Sequence, residues 1–202
     1  MTTISQDTIN IPSGGNLQLD STNIDLPVLL NTTTISNDAS VEFSGFSSTY
    51  NKIIIEFSEI VTATDSVNIN YYFGTSGTAD TGSNYAETLV ARGFDGSSHI
   101  GTPSRKVALS NSIGRLTPDD AAVKLGTGTG ENFSGYMVVN NVNSTTNYKT
   151  SYGFISTFGD SPHHNYNILS STYKSTSAIN YVKFLSSSGN LASGKIKFIG
   201  VR

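Results

Sequence analysis

The segment of the 202-residue chain that most resembles a phosphate-binding loop is Gly126-Thr-Gly-Thr-Gly130. A P-loop requires Gly-x4-Gly-Lys-Ser/Thr, and a dinucleotide fingerprint requires Gly-x-Gly-x-x-Gly at the start of a helix. Here the spacing is Gly-x-Gly-x-Gly, no lysine follows, and Glu131, Asn132 and Phe133 lead into a predicted strand. We therefore interpret the segment as a flexible hairpin or loop.

Two other features contain residue types that bind metal ions. His163 and His164 are adjacent, and adjacent residues of a strand point to opposite faces, so we expect an exposed turn rather than a chelating pair. Asp80 and Asn84 belong to an Asp-x-Gly-x-Asn sequence, whose spacing suits either a Ca²⁺ loop or an Asx-type turn. A trimer axis would gather three copies of one histidine. Whether Asp80, Asn84 or His163 binds an ion in an oligomer stays open, and we assign no metal or cofactor.

The carboxylates give no recognisable catalytic pair. Glycosidase chemistry needs two carboxyl groups roughly 5 to 10 Å apart in a cleft. The chain has no Gly-x-Ser-x-Gly elbow and no cysteine nucleophile. The main acidic residues of the body are few and scattered, namely Asp80, Glu87, Asp95, Asp119, Asp120, Glu131 and Asp160. We assign no catalytic residue and expect a protein that is not an enzyme, with a hydrolase as the weakest alternative.

The aromatic residues allow a second function, carbohydrate binding, because sugars stack on aromatic rings beside amide and carboxylate groups. Tyrosines with polar neighbours occur at six positions: Tyr71, Tyr72, Tyr148, Tyr152, Tyr166 and Tyr173. However, tryptophan is absent, and a strand tyrosine usually packs against its cross-strand neighbours. A carbohydrate-binding β-sandwich module is therefore the alternative reading.

The composition indicates the elements that must hold these residues. The chain has 30 Ser, 24 Thr, 19 Asn and 19 Gly, together with 10 Tyr and 10 Phe. Thr, Tyr and Phe fit strands, and Ser, Asn and Gly fit the turns between them. Charged residues make up only 13% of the chain, which disfavours helical bundles and coiled coils. The composition predicts an all-β fold.

Charge and hydropathy exclude other classes. The net charge is −3 and the basic residues are scattered, so we expect no nucleic-acid partner. The first residues lack the basic and apolar regions of a signal peptide, and the longest apolar runs are far shorter than the roughly 20 residues of a membrane span. We expect a protein synthesised in a cytoplasm, though not necessarily used there, with no membrane partner.

Ten segments have strand patterns separated by turn clusters, which predicts an antiparallel β-sandwich of jelly-roll type. The dense apolar run at residues 52–57 is typical of a central strand covered on both sides. One short helix is predicted at residues 117–124, with Thr117 as its N-cap. The ten strand segments are residues 39–46, 52–57, 67–73, 85–92, 106–109, 135–140, 148–158, 165–174, 179–185 and 195–201.

The first part of the chain differs from the rest. Residues 1–35 have short apolar alternations broken by a Pro-Ser-Gly-Gly turn, and such a segment buries too little surface to order itself. We predict an extended N-terminal arm over residues 1–35, used in assembly or anchoring, and one β-sandwich domain over residues 36–202. Alternatively, this segment forms an additional strand folded onto its own domain.

Two stretches resemble a module of tailed-phage virion proteins. Residues 35–50 contain Ser-Asn-Asp-Ala-Ser-Val-Glu-Phe and end in a tyrosine, and Lys-Ile-Ile-Ile-Glu-Phe follows. Residues 178–201 contain a strand, a Ser-Gly-Asn turn and then Gly-Lys-Ile-Lys-Phe-Ile-Gly. Val61-Thr62 replaces the proline that the module's turn would have. The resemblance implies a β-sandwich on a virion surface, in tail-fibre or capsid-decoration proteins that are often trimers, and it brings no catalytic residue.

The sequence therefore favours a non-enzymatic phage virion structural protein, either a tail-fibre or adhesion component or a capsid decoration (cement) protein. Its expected partners are other virion proteins, contacted through the arm, and itself as a homotrimer. A host surface glycan is a further possible partner. A surface rich in uncharged polar residues suits such packing, because Lys and Glu are depleted from interface cores.

Overall fold

The computed structural model describes residues 17–19, 22–24, 26–46, 48–94, 96–118, 124–159 and 163–202, without side chains at 17–19, 22–24, 99–107 and 163. Within these residues every regular element is a β-strand. The predicted all-β class is confirmed.

Fifteen strands follow one another along the described chain. They are β1 (Leu17–Leu19), β2 (Thr22–Ile24), β3 (Val28–Asp38), β4 (Val41–Ser44), β5 (Lys52–Thr62), β6 (Ile69–Thr75), β7 (Thr78–Ala79), β8 (Tyr85–Phe94), β9 (His99–Asn111), β10 (Gly114–Arg115), β11 (Asn132–Asn140), β12 (Lys149–Gly159), β13 (His163–Tyr173), β14 (Tyr181–Ser186) and β15 (Leu191–Val201). All ten predicted strand segments overlap one of these strands. The predicted helix at 117–124 lies mostly outside the described residues.

The larger sheet has eight antiparallel strands in the order β3-β15-β5-β11-β12-β13-β8-β9. As predicted, β5 lies inside the sheet, between β15 and β11. Its residues Ile53, Ile55 and Phe57 are buried on the inner face, whereas Ile54 is only half-buried on the outer face. The strand was predicted to be covered on both faces, but only its inner face is fully covered.

The smaller sheet has the order β10-β6-β14-β4, with β7 also paired to β6, and β1 and β2 form a separate hairpin. The two main sheets pack through aromatic side chains. Phe57 of the large sheet meets Phe184 of the small sheet edge to face at 5.1 Å, and Phe198 stacks on Phe43 at 4.6 Å. The antiparallel sandwich is thus confirmed, and its jelly-roll connections stay a prediction.

The boundary predicted at residue 35 is wrong. β3 pairs with β15 from Val28 to Asp38, and Ile35 is buried in the core. Residues 28–35 therefore belong to the large sheet, because their backbone groups complete its edge ladder. The proposed arm can include only residues before Val28, and most of those lie outside the described residues.

Four core tyrosines have raised pKa values. Burial raises the pKa of Tyr71, Tyr85 and Tyr173 well above the ordinary value, and it raises the pKa of Tyr181 to about 12. None of the four side chains is more than 4% exposed. The folded protein therefore resists their ionisation.

This resistance should make the protein alkali-sensitive. An unfolded tyrosine loses its proton near pH 10, so above about pH 10 the folded state binds more protons and the free energy of unfolding falls as pH rises. Above this pH, Tyr71 and Tyr85 should each lower the free energy of unfolding by about 1.4 kcal/mol per pH unit. Urea denaturation at increasing pH measures this slope, and Tyr71→Phe should reduce it. Titration of all 10 tyrosines near pH 10 in a protein that stays folded would contradict the prediction.

Candidate interaction surface

The outer face of the large sheet carries aromatic side chains at its centre. β11, β12 and β13 are neighbours there, and alternate residues of each strand face outward. In β12 the small residues Ser151 and Thr157 are buried, whereas Tyr152, Phe154 and Phe158 point outward. The strand therefore presents its three aromatic side chains to solvent, while Ile155 and most of its small residues face the core.

Cross-strand register joins these side chains into one patch. Tyr136 of β11 lies opposite Phe154, which in turn lies opposite Ile168 of β13. The rings of Phe154 and Tyr166 stack with their centroids 6.1 Å apart. We name this patch the aromatic stripe, and it consists of Tyr136, Tyr152, Phe154, Phe158, Tyr166 and Ile168.

The exposure of the aromatic stripe is unusual for large apolar side chains. Its members other than Tyr166 are between 39% and 49% exposed, and they lie on adjacent strands rather than singly. Scattered exposed apolar residues are normal on a protein surface, but a contiguous exposed apolar patch marks an interaction site. The stripe is therefore the candidate functional surface.

The stripe is also free of charge. Lys149 is the one Lys, Arg, Asp or Glu in β11, β12 and β13. Its side chain is buried, and its ammonium group donates hydrogen bonds to the carbonyls of Ser144, Asn147 and Ser175. Burial lowers the pKa of Lys149. The three strands thus present only uncharged groups and His164 on their outer face, apart from the undescribed side chain of His163.

Charges of opposite sign border the stripe. Lys52, Glu56 and Glu59 lie on β5 at one side, and Arg92 lies on β8 at the other side. Glu56 also faces Lys197 of β15, with 3.8 Å between the carboxylate and ammonium groups. The pattern of an apolar centre within a charged border is typical of a protein interface.

A polar cleft of about 710 Å³ lies beside the stripe. Bulges form it, because the register of β15 against β5 shifts on both sides of Ser193 and Glu59 has a positive φ of 53°. Its lining includes Glu59, Glu131, Lys195 and Lys197. The cleft therefore offers hydrogen-bond donors and acceptors of both charge signs.

The structure explains Asp80 and Asn84 without an ion. The carboxylate of Asp80 accepts hydrogen bonds from Gly82 N at 2.7 Å, Asn84 Nδ2 at 2.8 Å and the Tyr173 hydroxyl at 2.5 Å. Burial raises the pKa of Asp80, but these three donors outweigh it and the pKa is lowered. The bond to the backbone two residues on defines an Asx turn. Of the two interpretations, the geometry favours the turn.

The other predicted sites are not assembled into a chemical centre. Gly128 N donates to the Glu131 carboxylate at 2.7 Å, so the glycine segment is a loop that its own carboxylate closes, as predicted. His163 and His164 begin β13, so the turn predicted at these two residues is wrong. His164 is exposed and its Nε2 lies 3.3 Å from Ser156 Oγ, while the side chain of His163 lies outside the described residues. Across the described part of the chain, no three His, Asp or Glu side chains form a group suited to a metal ion.

The six tyrosines named from the sequence separate into two groups. Tyr71 and Tyr173 are buried in the core and Tyr72 packs against it, so none of these three suits a glycan platform. Tyr152 and Tyr166 belong to the aromatic stripe, and Tyr148 is exposed just before β12. No prediction from the sequence included the other four members of the stripe, which are Tyr136, Phe154, Phe158 and Ile168. The available signal was the alternation of large and small residues along β12, which indicates two different faces without telling which is outward.

The fold and this surface define the protein as an antiparallel β-sandwich with one exposed, uncharged aromatic face. In comparisons with protein-family models, curated proteins and solved structures, none matches the chain. Within the residues that the structure describes, no helix is long and apolar enough to cross a membrane.

Proposed function

We propose that the chain is a non-enzymatic structural protein of a tailed-phage virion, assembled as a homotrimer on the particle surface. The aromatic stripe carries this proposal, because an uncharged apolar face on a complete sandwich needs protein neighbours to cover it. A particle component has such neighbours permanently. The low charge of the whole chain, 13%, is consistent with the same role.

The positions of the two virion-like sequence stretches support the proposal. The first stretch forms the last part of β3 and the whole of β4 and β5. The second stretch forms β14 and β15. β4 pairs with β14 in the small sheet, and β5 pairs with β15 in the large sheet. Two segments separated by more than half of the chain therefore make one structural unit, as expected for a single module.

Two roles on a particle fit this proposal. In a tail-fibre or other adhesion component, the trimer binds the host cell. In a capsid decoration protein, the trimer cements the expanded capsid. In either role the segment before Val28 is the proposed attachment to the particle, because β3 and all later strands already belong to the sandwich.

Binding assays with virions of the phage that encodes the protein test the proposal. A cement protein should bind expanded capsids and raise their thermal resistance, whereas an adhesion protein should bind host cells and block infection when added in excess. A variant that lacks residues 1–25 should stay folded and lose binding to the particle. A folded trimer that does neither, and that antibodies do not detect on virions, contradicts the proposal.

The polar cleft favours one alternative function, a carbohydrate-binding module. A neutral sugar needs both hydrogen-bond donors and acceptors, which Lys195, Lys197, Glu59 and Glu131 supply, and Tyr136 stands nearby for stacking. This alternative predicts a monomer that binds glycans and for which residues 1–25 are dispensable. Oligomeric state and the effect of the truncation therefore separate the two functions.

A further inference from the structure

The outer edge of β3 forms no ladder with any other described strand. β3 lies at one end of the large sheet, and within the described residues it pairs only with β15. A sheet edge presents backbone N–H and C=O groups to which a further strand can pair, and proteins usually protect such an edge with lysine, proline or a very short strand. A long edge without this protection therefore indicates a place where another strand adds.

The other described edges of the two main sheets have this protection. β9, at the opposite end of the large sheet, contains Pro103, Arg105 and Lys106. In the small sheet β4 has four residues, and β7 and β10 have two each. β3 has 11 residues and contains no proline, lysine or arginine. Among the described edge strands, β3 is therefore the one that is long and without these residues.

One hydrogen bond shows which backbone groups of β3 face outward. Ser36 N donates to the Asp38 carboxylate at 2.9 Å, so this N–H is turned away from β15. Alternate residues of an antiparallel strand direct their N–H and C=O groups to the same side. Thr32 and Thr34 therefore direct theirs to the outer edge, and both lie in the part of β3 that pairs regularly with β15. These two residues offer the backbone groups for a further strand.

The side chains along this edge suit an extended, uncharged partner segment. Asp38 is the one charged residue of β3, and its bond to Ser36 closes that end of the edge. At the other end Leu29 is 59% exposed and Leu26 is 40% exposed. An apolar residue of the partner would remove both leucines from water.

We propose that an extended, uncharged segment of the neighbouring virion protein adds to the large sheet as a strand beside β3. This inference rests on the proposed function and names the contact with the particle. β3 directly follows the segment before Val28 that is proposed as the attachment, so its edge lies next to the particle. Backbone hydrogen bonds at Thr32 and Thr34 supply affinity, and the apolar contact with Leu29 fixes the register of the added strand.

Hydrogen exchange of the full chain, free in solution and bound to virions of the phage that encodes it, tests this contact. The amides of Thr32 and Thr34 should exchange rapidly in the free chain and at least about tenfold more slowly on the particle. The amides of β9, the opposite edge strand, are the internal control and should exchange equally in both states. A bound chain with unchanged exchange in β3 overturns the inference and keeps the proposed function.

Two substitutions at Thr34 form a matched pair. Thr34→Pro removes an outward N–H and leaves the ladder with β15 in place, because an edge strand accepts proline where the N–H faces away from the sheet. It should bind virions at least about tenfold more weakly, since one backbone hydrogen bond and its neighbours are lost. Thr34→Val keeps the N–H and the β-branched shape, and it should bind like the native chain. Equal binding of two folded variants overturns the inference, and if Thr34→Pro does not fold, hydrogen exchange of the native chain decides.

The remaining outcomes identify other occupants of the edge. Slow exchange of Thr32 and Thr34 in the free chain at every concentration would show that the chain covers its own edge. Slow exchange that disappears on dilution would show that a second copy covers it. Either result overturns the inference. A chain that binds no virions contradicts the proposed function, and the inference falls with it.

Discussion

Deleting residues 1–35 should unfold the domain, because the deletion removes most of β3 from the large sheet. β3 forms a ladder with β15 from Val28 to Asp38, and Ile35 is only 4% exposed. Loss of one buried isoleucine costs about 2–5 kcal/mol, and the whole domain has only about 5–15 kcal/mol of stability. Loss of the ladder adds to this cost. Circular dichroism and urea denaturation of the purified truncation measure the result.

Deletion of residues 1–25 is the matched control. It leaves all of β3 in place, and β1 and β2 pair only with each other among the described strands. The shorter truncation should therefore unfold at a urea concentration close to that of the full chain. If both truncations unfold at the same urea concentration as the full chain, pairing of β3 with β15 contributes little to the stability of the domain, which contradicts this prediction.

The edge position of β3 explains why the sequence did not reveal it. Strands are found from alternation of buried and exposed residues, and β3 has one fully buried residue, Ile35, within a run of threonines. Central strands give a stronger signal because one whole face of each is buried. β5 and β12 were predicted for that reason, β12 to within one residue at each end, whereas the last five residues of β5 were missed.

The aromatic stripe was hidden for a different reason. Alternation along β12 fixes which residues share a face, but hydrophobicity then predicts that the aromatic face is the inner one. In the structure the inner face of β12 carries Ile155 and otherwise mostly small residues, next to buried polar groups of β13. Asn165 and Asn167, which pair with Thr157 and Ile155, are fully buried, and a side chain at Gly159 would meet the carbonyl of Lys124 at 2.3 Å. Contacts between distant segments decide the orientation of the strand, and one sequence does not contain them.

Replacing Glu87 should destabilise the fold more than replacing any surface carboxylate. Glu87 lies on the inner face of β8, and its side chain is 0% exposed. It accepts hydrogen bonds from Arg115 Nη1 at 2.9 Å, Arg115 N at 3.0 Å and Asn111 Nδ2 at 3.0 Å. Arg115 belongs to β10, so this ion pair joins the large sheet to the small sheet.

Burial determines the size of the effect. Removing one partner of a buried ion pair leaves the other charge without compensation and costs about 3–5 kcal/mol. Glu87→Gln, which keeps the side-chain volume, should therefore lower the melting temperature by roughly 6–20 °C in a domain of this size. Arg115 is 17% exposed, so water solvates part of its charge. We therefore expect a fall in melting temperature near the lower end of this range.

The matched control is Glu42→Gln. Glu42 pairs with Lys183 at the same 2.9 Å, but the two side chains are 45% and 29% exposed. An exposed pair of this kind contributes about 0–1 kcal/mol, so the melting temperature should fall by no more than about 4 °C. Glu87→Leu combined with Arg115→Leu should recover most of the stability lost in Glu87→Leu alone, because the double change buries no unpaired charge. Equal losses in Glu87→Gln and Glu42→Gln would show that the buried pair does not hold the two sheets together.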